Sequence, residues 1–210
     1  MILKFTWGSG ANFTMEKKDE QAKSSKYEFL LLVAEISSAL WVHIQIFETT
    51  LRNFLSEFLT NTSGQVDWWN TTNYFYAKEN SIIDEIKTRL KHSNLDTNSK
   101  NVISNLGFSF WIELLSKRYH QKIWMKLVKF FPAHPGRRED FYNKAREIRN
   151  LRNVIAHHGP ILRRDLFRDH AYLHELTALL DPELANEVKR KSRVLDLLLN
   201  ARLVGSGGGI

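Results

Sequence analysis

The sequence contains no cysteine, only four prolines, and no stretch with the alternating polarity of a half-buried strand. The absence of cysteine excludes disulfide bridges and thiolate metal sites. No glycine-rich phosphate loop is present, so the sequence gives no support for chemistry that uses a nucleotide cofactor. We therefore predict neither a cofactor nor a bound metal.

Long apolar runs are also missing. The longest, FLLLVAEI, is interrupted by Glu35, whereas a membrane-spanning helix needs roughly 18–20 apolar residues. The first residues, MILKFTWGSGANF, are too short and too polar for a signal peptide. The 210 residues are 43% hydrophobic and 25% charged, which suits one folded globular domain. We expect a cytoplasmic protein that makes no contact with a membrane.

Helical periodicity dominates what is present, and it predicts an all-α bundle of six to eight helices. We predict a disordered segment at 1–18, a single helical domain at 19–203 and a flexible glycine- and serine-rich tail at 204–210. One helix is expected at about 19–33, a second at about 38–60, and a third at 81–92 with Ser81 as its cap. The stretch 109–132 is expected to form one or two helices.

The later helices carry clear end signals. A helix is predicted from about Arg138 to His157, ended by Gly159, which tolerates the left-handed cap, and by Pro160. Asp181 is predicted to cap a last helix whose first turn contains a proline.

Charge is unevenly distributed. The chain has a formal net charge of +7, and the stretch 137–168 holds nine Lys and Arg residues against four Asp and Glu residues. A basic surface of this kind favours a polyanionic partner such as RNA.

The helix predicted at 138–157 contains the residues best suited to catalysis. On a helical wheel its buried stripe is formed by Phe141, Ala145, Ile148, Leu151 and Ile155. Arg152 falls inside that stripe, which is unusual unless the arginine is paired or its head reaches the edge. His157 lies about 140° from Arg152, given 100° per residue, so one straight helix cannot aim both at one phosphate. Either the helix unwinds near His157, or a second subunit supplies the missing group.

These residue types allow RNA cleavage without a metal. A histidine can move protons near neutral pH, and a guanidinium can stabilise the charge that builds on a phosphoryl group. Asn153 can orient either group. The helix dipole at the C-terminus favours a protonated imidazole, which suits a general acid. The same residues can also be read as a capping histidine pair and a solvated basic face.

The string IRNLRNVIAHHGPI resembles the motif of Abi-like proteins, a bacterial abortive-infection family of the HEPN superfamily. That motif is an arginine, a polar residue, and a histidine four to six positions after the arginine, which here are Arg152, Asn153 and His157. The string ALWVHIQIFETTLRNFL is similar to a second family segment, with Glu48 four residues before Arg52 and Asn53. The string LGFSFWIELLSKRYHQKIWMKLVKFFP is similar to a third, and together the three cover 39–161.

The resemblance implies a homodimer in which two motif helices form a composite RNase site at the interface. It implies a metal-independent endoribonuclease that acts in phage defence or in a toxin–antitoxin system, with an antitoxin protein or a regulatory RNA as a further partner. Some members of the superfamily are catalytically silent and bind RNA or a partner protein. The predicted site residues comprise a catalytic set, a supporting set and an RNA-binding set: Arg152, Asn153 and His157; His158, Arg149, Glu48, Arg52 and Asn53; and Arg146, Arg163 and Arg164.

Three further features stay open at this point. Glu48 and Arg52 are spaced to form a surface ion pair, or they line the cleft. His170 and His174 have a spacing that can bind a metal, but no cysteine or evident carboxylate completes the site. A purely structural alternative has Arg152 locked by a buried carboxylate. The tryptophans are predicted to build the core or the dimer contact rather than to stack on bases: Trp68, Trp69, Trp111 and Trp124.

Overall fold

The computed structural model describes residues 11–71 and 74–207, which contain nine α-helices and no β-strand. The all-α prediction is confirmed, and the helix count exceeds the expected six to eight because three of the helices are only one or two turns long. The helices are α1 Ala11–Ser63, α2 Ala77–His92, α3 Ser99–Asn105, α4 Phe108–Glu113, α5 Met125–Leu127, α6 Arg138–Ala156, α7 Leu166–Leu180, α8 Pro182–Lys191 and α9 Val194–Gly207.

Helix α1 is one continuous helix of 53 residues, so the prediction of two helices with a break after Val33 is wrong. The Ser37 hydroxyl donates to the Val33 carbonyl at 2.9 Å, so the serine is satisfied inside the helix and does not interrupt it. The segment 1–18 was predicted to be disordered. Its residues 11–18 belong to this helix, and 1–10 lie outside the described residues.

The buried face of α1 forms the centre of the core. Its fully buried residues recur every three or four positions, the spacing of one helix face: Ile36, Leu40, Ile44, Phe47, Leu51, Leu55 and Leu59. Because much of its other face is also uncharged, the part of α1 from Lys26 to Ser63 is long and apolar enough to cross a bilayer. This is weak evidence for a membrane span, since the core helix of a soluble protein passes the same test.

The middle of the chain is more irregular than its periodicity predicts. Helix α2 begins four residues before Ser81, whose hydroxyl donates to Glu85 at 3.1 Å instead of capping the helix. The stretch 109–132 is divided among α4, a 3-10 turn at Lys117–Tyr119, a π-helical turn at His120–Trp124, and α5. The four tryptophans named above are all buried, as predicted.

The end signals in the last third are largely confirmed. Helix α6 spans Arg138–Ala156, within one residue of the prediction, and the Asp181 carboxylate accepts from the Leu184 N–H at 2.9 Å to cap α8. Helix α8 is not the last helix, however, because α9 follows it. The predicted flexible tail overlaps α9 at 204–207, and 208–210 lie outside the described residues.

Candidate functional site

The candidate site lies where the last turns of α6 pack against α1. The buried face of α6 comprises Phe141, Ala145, Ile148 and Leu151, in agreement with the helical wheel. The two helices run antiparallel: Arg152 contacts α1 at Trp41 and Glu48, while His158, just beyond the end of α6, faces an earlier part of α1.

Arg152 reaches the edge of the buried stripe, one of the two arrangements expected for an arginine at that position. Its side chain is 37% exposed, and the guanidinium carbon lies 5.8 Å from the centre of the Trp41 ring. The Nε atom lies 3.9 Å from a Glu48 carboxylate oxygen, which is too far for a hydrogen bond. Nε is nevertheless buried and has no hydrogen-bond partner in the part of the chain that the structure describes. A guanidinium held in this way is free to engage a ligand.

Glu48 is half-buried and lies near two arginines, Arg52 on α1 and Arg152 on α6. Burial raises the pKa of its carboxyl above the ordinary value, and the positive charges of Arg152 and Arg52 oppose that rise. Arg52 Nε lies 3.5 Å from the Asn53 side-chain oxygen. Among the described ion pairs, the partner of Glu48 is Arg152 rather than Arg52, so the structure does not form the surface pair between Glu48 and Arg52.

The end of α6 is closed by a Schellman motif, in which two backbone N–H groups donate to carbonyls near the helix end. The Gly159 N–H donates to the Val154 carbonyl at 2.7 Å, and the His158 N–H donates to Ile155 at 3.0 Å. His158 takes the left-handed conformation with φ +53°, so the prediction that Gly159 takes it is wrong. A Cβ atom at position 159 would lie 3.2 Å from the Val154 side chain and carbonyl oxygen, so Val154 would have to shift by a few tenths of an ångström to accept one.

The helix therefore ends before His157, whose φ of −101° and ψ of 15° depart from helical values. The His157 N–H still donates to the Asn153 carbonyl at 3.1 Å, so α6 does not unwind before His157 and the angular separation from Arg152 remains. Both histidines are exposed, and neither side chain has a hydrogen bond within the described residues. Asn153 is exposed and Arg149 is half-buried.

His158 also lines a groove of about 360 Å³ between α1 and the end of α6. The apolar walls of this groove come mainly from Leu30, Val33, Ala34 and Ile155. The groove thus joins the histidine pair to the early, exposed part of α1.

The three arginines predicted to bind RNA have different environments. Arg163 is exposed, and the guanidinium of Arg146 lies 5.6 Å from the Tyr142 ring. Arg164 instead donates to Asp169 at 2.7 Å and to Glu147 at 3.0 Å, with only 16% of its side chain exposed. The structure therefore gives Arg164 a different role from the predicted one: it neutralises a fully buried aspartate.

His43, His170 and His174 form a cluster, of which the sequence singled out only His170 and His174. His170 packs edge-on against His43 with ring centres 5.0 Å apart, and its Nε2 lies 3.3 Å from the Ser192 hydroxyl. Burial lowers the pKa of all three histidines, that of His43 to about 4, and repulsion from a neighbouring histidine adds to this effect for His43 and His170. Over the described residues, no group of three or more His, Asp or Glu side chains could hold a metal ion.

The sequence also missed Trp41 as a site residue. It lies seven positions before Glu48, two helical turns along the same face of α1, and that spacing was the available signal. The burial of Arg152 against α1 is what makes Trp41 part of the site.

No family model, curated protein or solved structure matches the chain. Its function has to be inferred from the chemistry of these residues and from the motif that they resemble.

Proposed function

We propose that the protein is a metal-independent endoribonuclease of the HEPN type that acts as a cytoplasmic homodimer in phage defence or in a toxin–antitoxin system. The observation that supports this most directly is the state of Arg152. Its guanidinium is partly buried, has no hydrogen bond among the described residues, and lies on the helix that ends at two exposed histidines.

The chemistry follows from these groups. The ribose 2′-oxygen attacks the adjacent phosphorus, the bond from phosphorus to the 5′-oxygen breaks, and the products are a 2′,3′-cyclic phosphate and a 5′-hydroxyl. A base accepts the 2′-hydroxyl proton while an acid gives a proton to the departing 5′-oxygen. We assign the proton transfer to His157 and stabilisation of the phosphoryl charge to Arg152, with Asn153 orienting the groups.

Supporting roles go to nearby residues. Glu48 lies beside Arg152, and its raised pKa brings its carboxyl closer to the range in which it can exchange a proton. His158 and Arg149 assist at the end of α6, and Arg52 and Asn53 contribute from α1. Arg146 and Arg163 remain the candidates of the motif region for binding the RNA backbone.

The dimer is supported by the early part of α1. Tyr27, Leu30 and Leu31 are each more than half exposed, and Leu30 lines the groove that contains His158. A second copy that covers this apolar surface would bury it and bring a second histidine pair close to the first. We expect a mass near twice 24.6 kDa in solution.

The test is incubation of RNA with the protein in EDTA, followed by gel analysis and identification of the new ends. We expect wild type to cut RNA, and His157→Ala and Arg152→Ala to lose at least about 100-fold in rate. His134→Ala is the matched control, because it removes an exposed histidine outside the proposed site. Equal rates for wild type and His157→Ala would remove His157 from the mechanism.

A catalytically silent dimer that binds RNA or a partner protein is the second candidate. It is favoured by the angular separation of Arg152 and His157 on α6, because cleavage requires both side chains to reach one phosphate. This candidate predicts salt-sensitive RNA binding with no cut ends, even at long incubation times.

A further inference from the structure

The most basic part of the chain lies outside the motif region. The stretch 114–138 contains seven Lys and Arg residues and no Asp or Glu, so its charge of +7 equals the formal net charge of the whole protein. The remaining residues are therefore neutral in sum. An anionic partner will be attracted first to this stretch.

Some of these cations are already engaged inside the fold. Arg118 forms ion pairs with the buried Glu79 and with Glu113, and Arg137 pairs with Asp140. Arg138 donates to the Leu115 carbonyl at 2.9 Å. The engaged residues are thus all arginines. Among the described residues, the lysines of the stretch have no carboxylate within ion-pair distance.

Lys122, Lys126 and Lys129 form what we call the lysine stripe. Their spacing of four and then three residues is that of one helix face, with Lys122 in the π-helical turn, Lys126 in α5 and Lys129 in the turn that follows α5. Across the described residues, none of the three has a carboxylate within ion-pair distance. Their charge is therefore not neutralised by the protein itself.

Two tyrosines hold part of the stripe in place. Lys122 Nζ lies 4.2 Å from the centre of the Tyr76 ring, and Lys126 Nζ lies 5.7 Å from that of Tyr74. The Tyr76 hydroxyl donates to the Arg118 carbonyl at 3.0 Å, which fixes the ring. Ammonium groups ordered in this way lose less conformational entropy when they bind a phosphate.

The segment beneath the stripe is anchored in the core. Ile123, Trp124 and Leu127 are buried, and the Trp124 ring packs against Phe141 near the start of α6 with ring centres 6.0 Å apart. The stripe is thus presented on a rigid element that is packed directly against the motif helix. The π-helical turn at His120–Trp124 is of a kind found often at functional sites.

We propose that the lysine stripe, with Tyr74 and Tyr76, is a second RNA-contact surface that binds the phosphates of a single strand. Uncompensated cations interleaved with aromatic rings are the pattern that single-stranded nucleic acid requires. This inference rests on the proposed function in one respect only, the identification of the bound polymer as RNA. Phe141 and Arg152 lie eleven residues apart on α6, about 16 Å at 1.5 Å per residue, so the bound strand spans several nucleotides.

The experiment measures binding of a fluorescent single-stranded RNA by anisotropy at several salt concentrations. The protein carries His157→Ala so that the RNA stays intact. The stripe variant adds Lys122→Gln, Lys126→Gln and Lys129→Gln. The matched control removes the same charge from lysines of similar exposure elsewhere, with Lys87→Gln, Lys91→Gln and Lys100→Gln.

We expect the stripe variant to flatten the slope of log affinity against log salt by about 2, because each phosphate contact on a single strand contributes about 0.7. The control is expected to keep a slope close to the parent value. Equal slopes for the two variants would overturn the proposal, provided that circular dichroism shows both to be folded. A stripe-dependent affinity for phosphatidylserine vesicles, with RNA binding unchanged, would also overturn it.

The two proposals fail separately. If the protein with His157 intact cuts no RNA but the stripe variant still flattens the salt slope, the nuclease is refuted and the second surface stands. If RNA is cut and the slopes of the two variants are equal, the second surface alone is refuted.

Discussion

His158 occupies a backbone conformation that disfavours its own side chain, so its replacement by glycine should stabilise the protein. At φ +53° the Cβ atom of a non-glycine residue crowds the following carbonyl, which costs roughly 1–2 kcal/mol. Glycine has no Cβ atom and adopts this conformation without that cost. The two hydrogen bonds of the Schellman motif use backbone atoms only, and His158→Gly keeps both.

The gain is reduced by an effect on the unfolded chain. Glycine gives the unfolded state more freedom, which lowers stability by roughly 0.4–1 kcal/mol. We therefore expect His158→Gly to raise the free energy of unfolding by about 0.5–1 kcal/mol. For a chain of this length, such a gain raises Tm by about 2 °C. The same variant should cut RNA more slowly, since it removes a side chain from the proposed site.

Urea unfolding followed by circular dichroism measures the first effect, and the RNA gel assay measures the second. The control is His157→Gly, one residue earlier, where φ is −101° and no strain is relieved. That variant should be destabilised by up to about 1 kcal/mol. If His158→Gly also lowers the free energy of unfolding, contacts of the His158 side chain in the groove must hold it in place, and the idea that it sits there at a cost to stability is refuted.

Three other predictions concern groups buried in the fold. Arg164→Ala should cost about 2–3 kcal/mol in chemical denaturation because it weakens the pairing of the buried Asp169, whereas Arg163→Ala at an exposed position should cost less than about 0.5 kcal/mol. Glu48→Gln should change stability by less than about 1 kcal/mol, because its ion pair spans 3.9 Å; a loss above about 3 kcal/mol would favour a structural lock. As pH falls below the ordinary histidine value of 6.5 towards about 4, the unfolded chain binds a proton before the buried His43 does. Stability should therefore fall by about 2 kcal/mol, and His43→Gln should flatten this part of the pH profile in urea titrations.

The sequence predicted those parts of the site that depend on local periodicity. The wheel of α6 identified its buried residues and the unusual position of Arg152, because helical spacing alone determines which residues share a face. The sequence could not show that Arg164 is paired and Arg163 is exposed, because tertiary packing is what brings Asp169 and Glu147 to Arg164. Nor could the sequence identify His158 as the residue that takes the left-handed conformation, since glycine adopts it more readily and Gly159 is the next residue.

The contrast between Arg152 and Arg164 shows why one of them is suited to bind a phosphate. Arg164 donates to two carboxylates at hydrogen-bond distance, and a phosphate would have to displace them and leave the buried Asp169 with only its contact to Arg168 at 3.3 Å. Arg152 has one carboxylate at 3.9 Å and a buried Nε with no partner among the described residues. A phosphate that reaches the exposed part of its guanidinium displaces no existing hydrogen bond and competes only with the ion pair to Glu48 at 3.9 Å. The fold thus keeps Arg152 partly desolvated and without a hydrogen-bonded carboxylate among the described residues, which leaves the guanidinium able to stabilise charge that develops on a phosphoryl group.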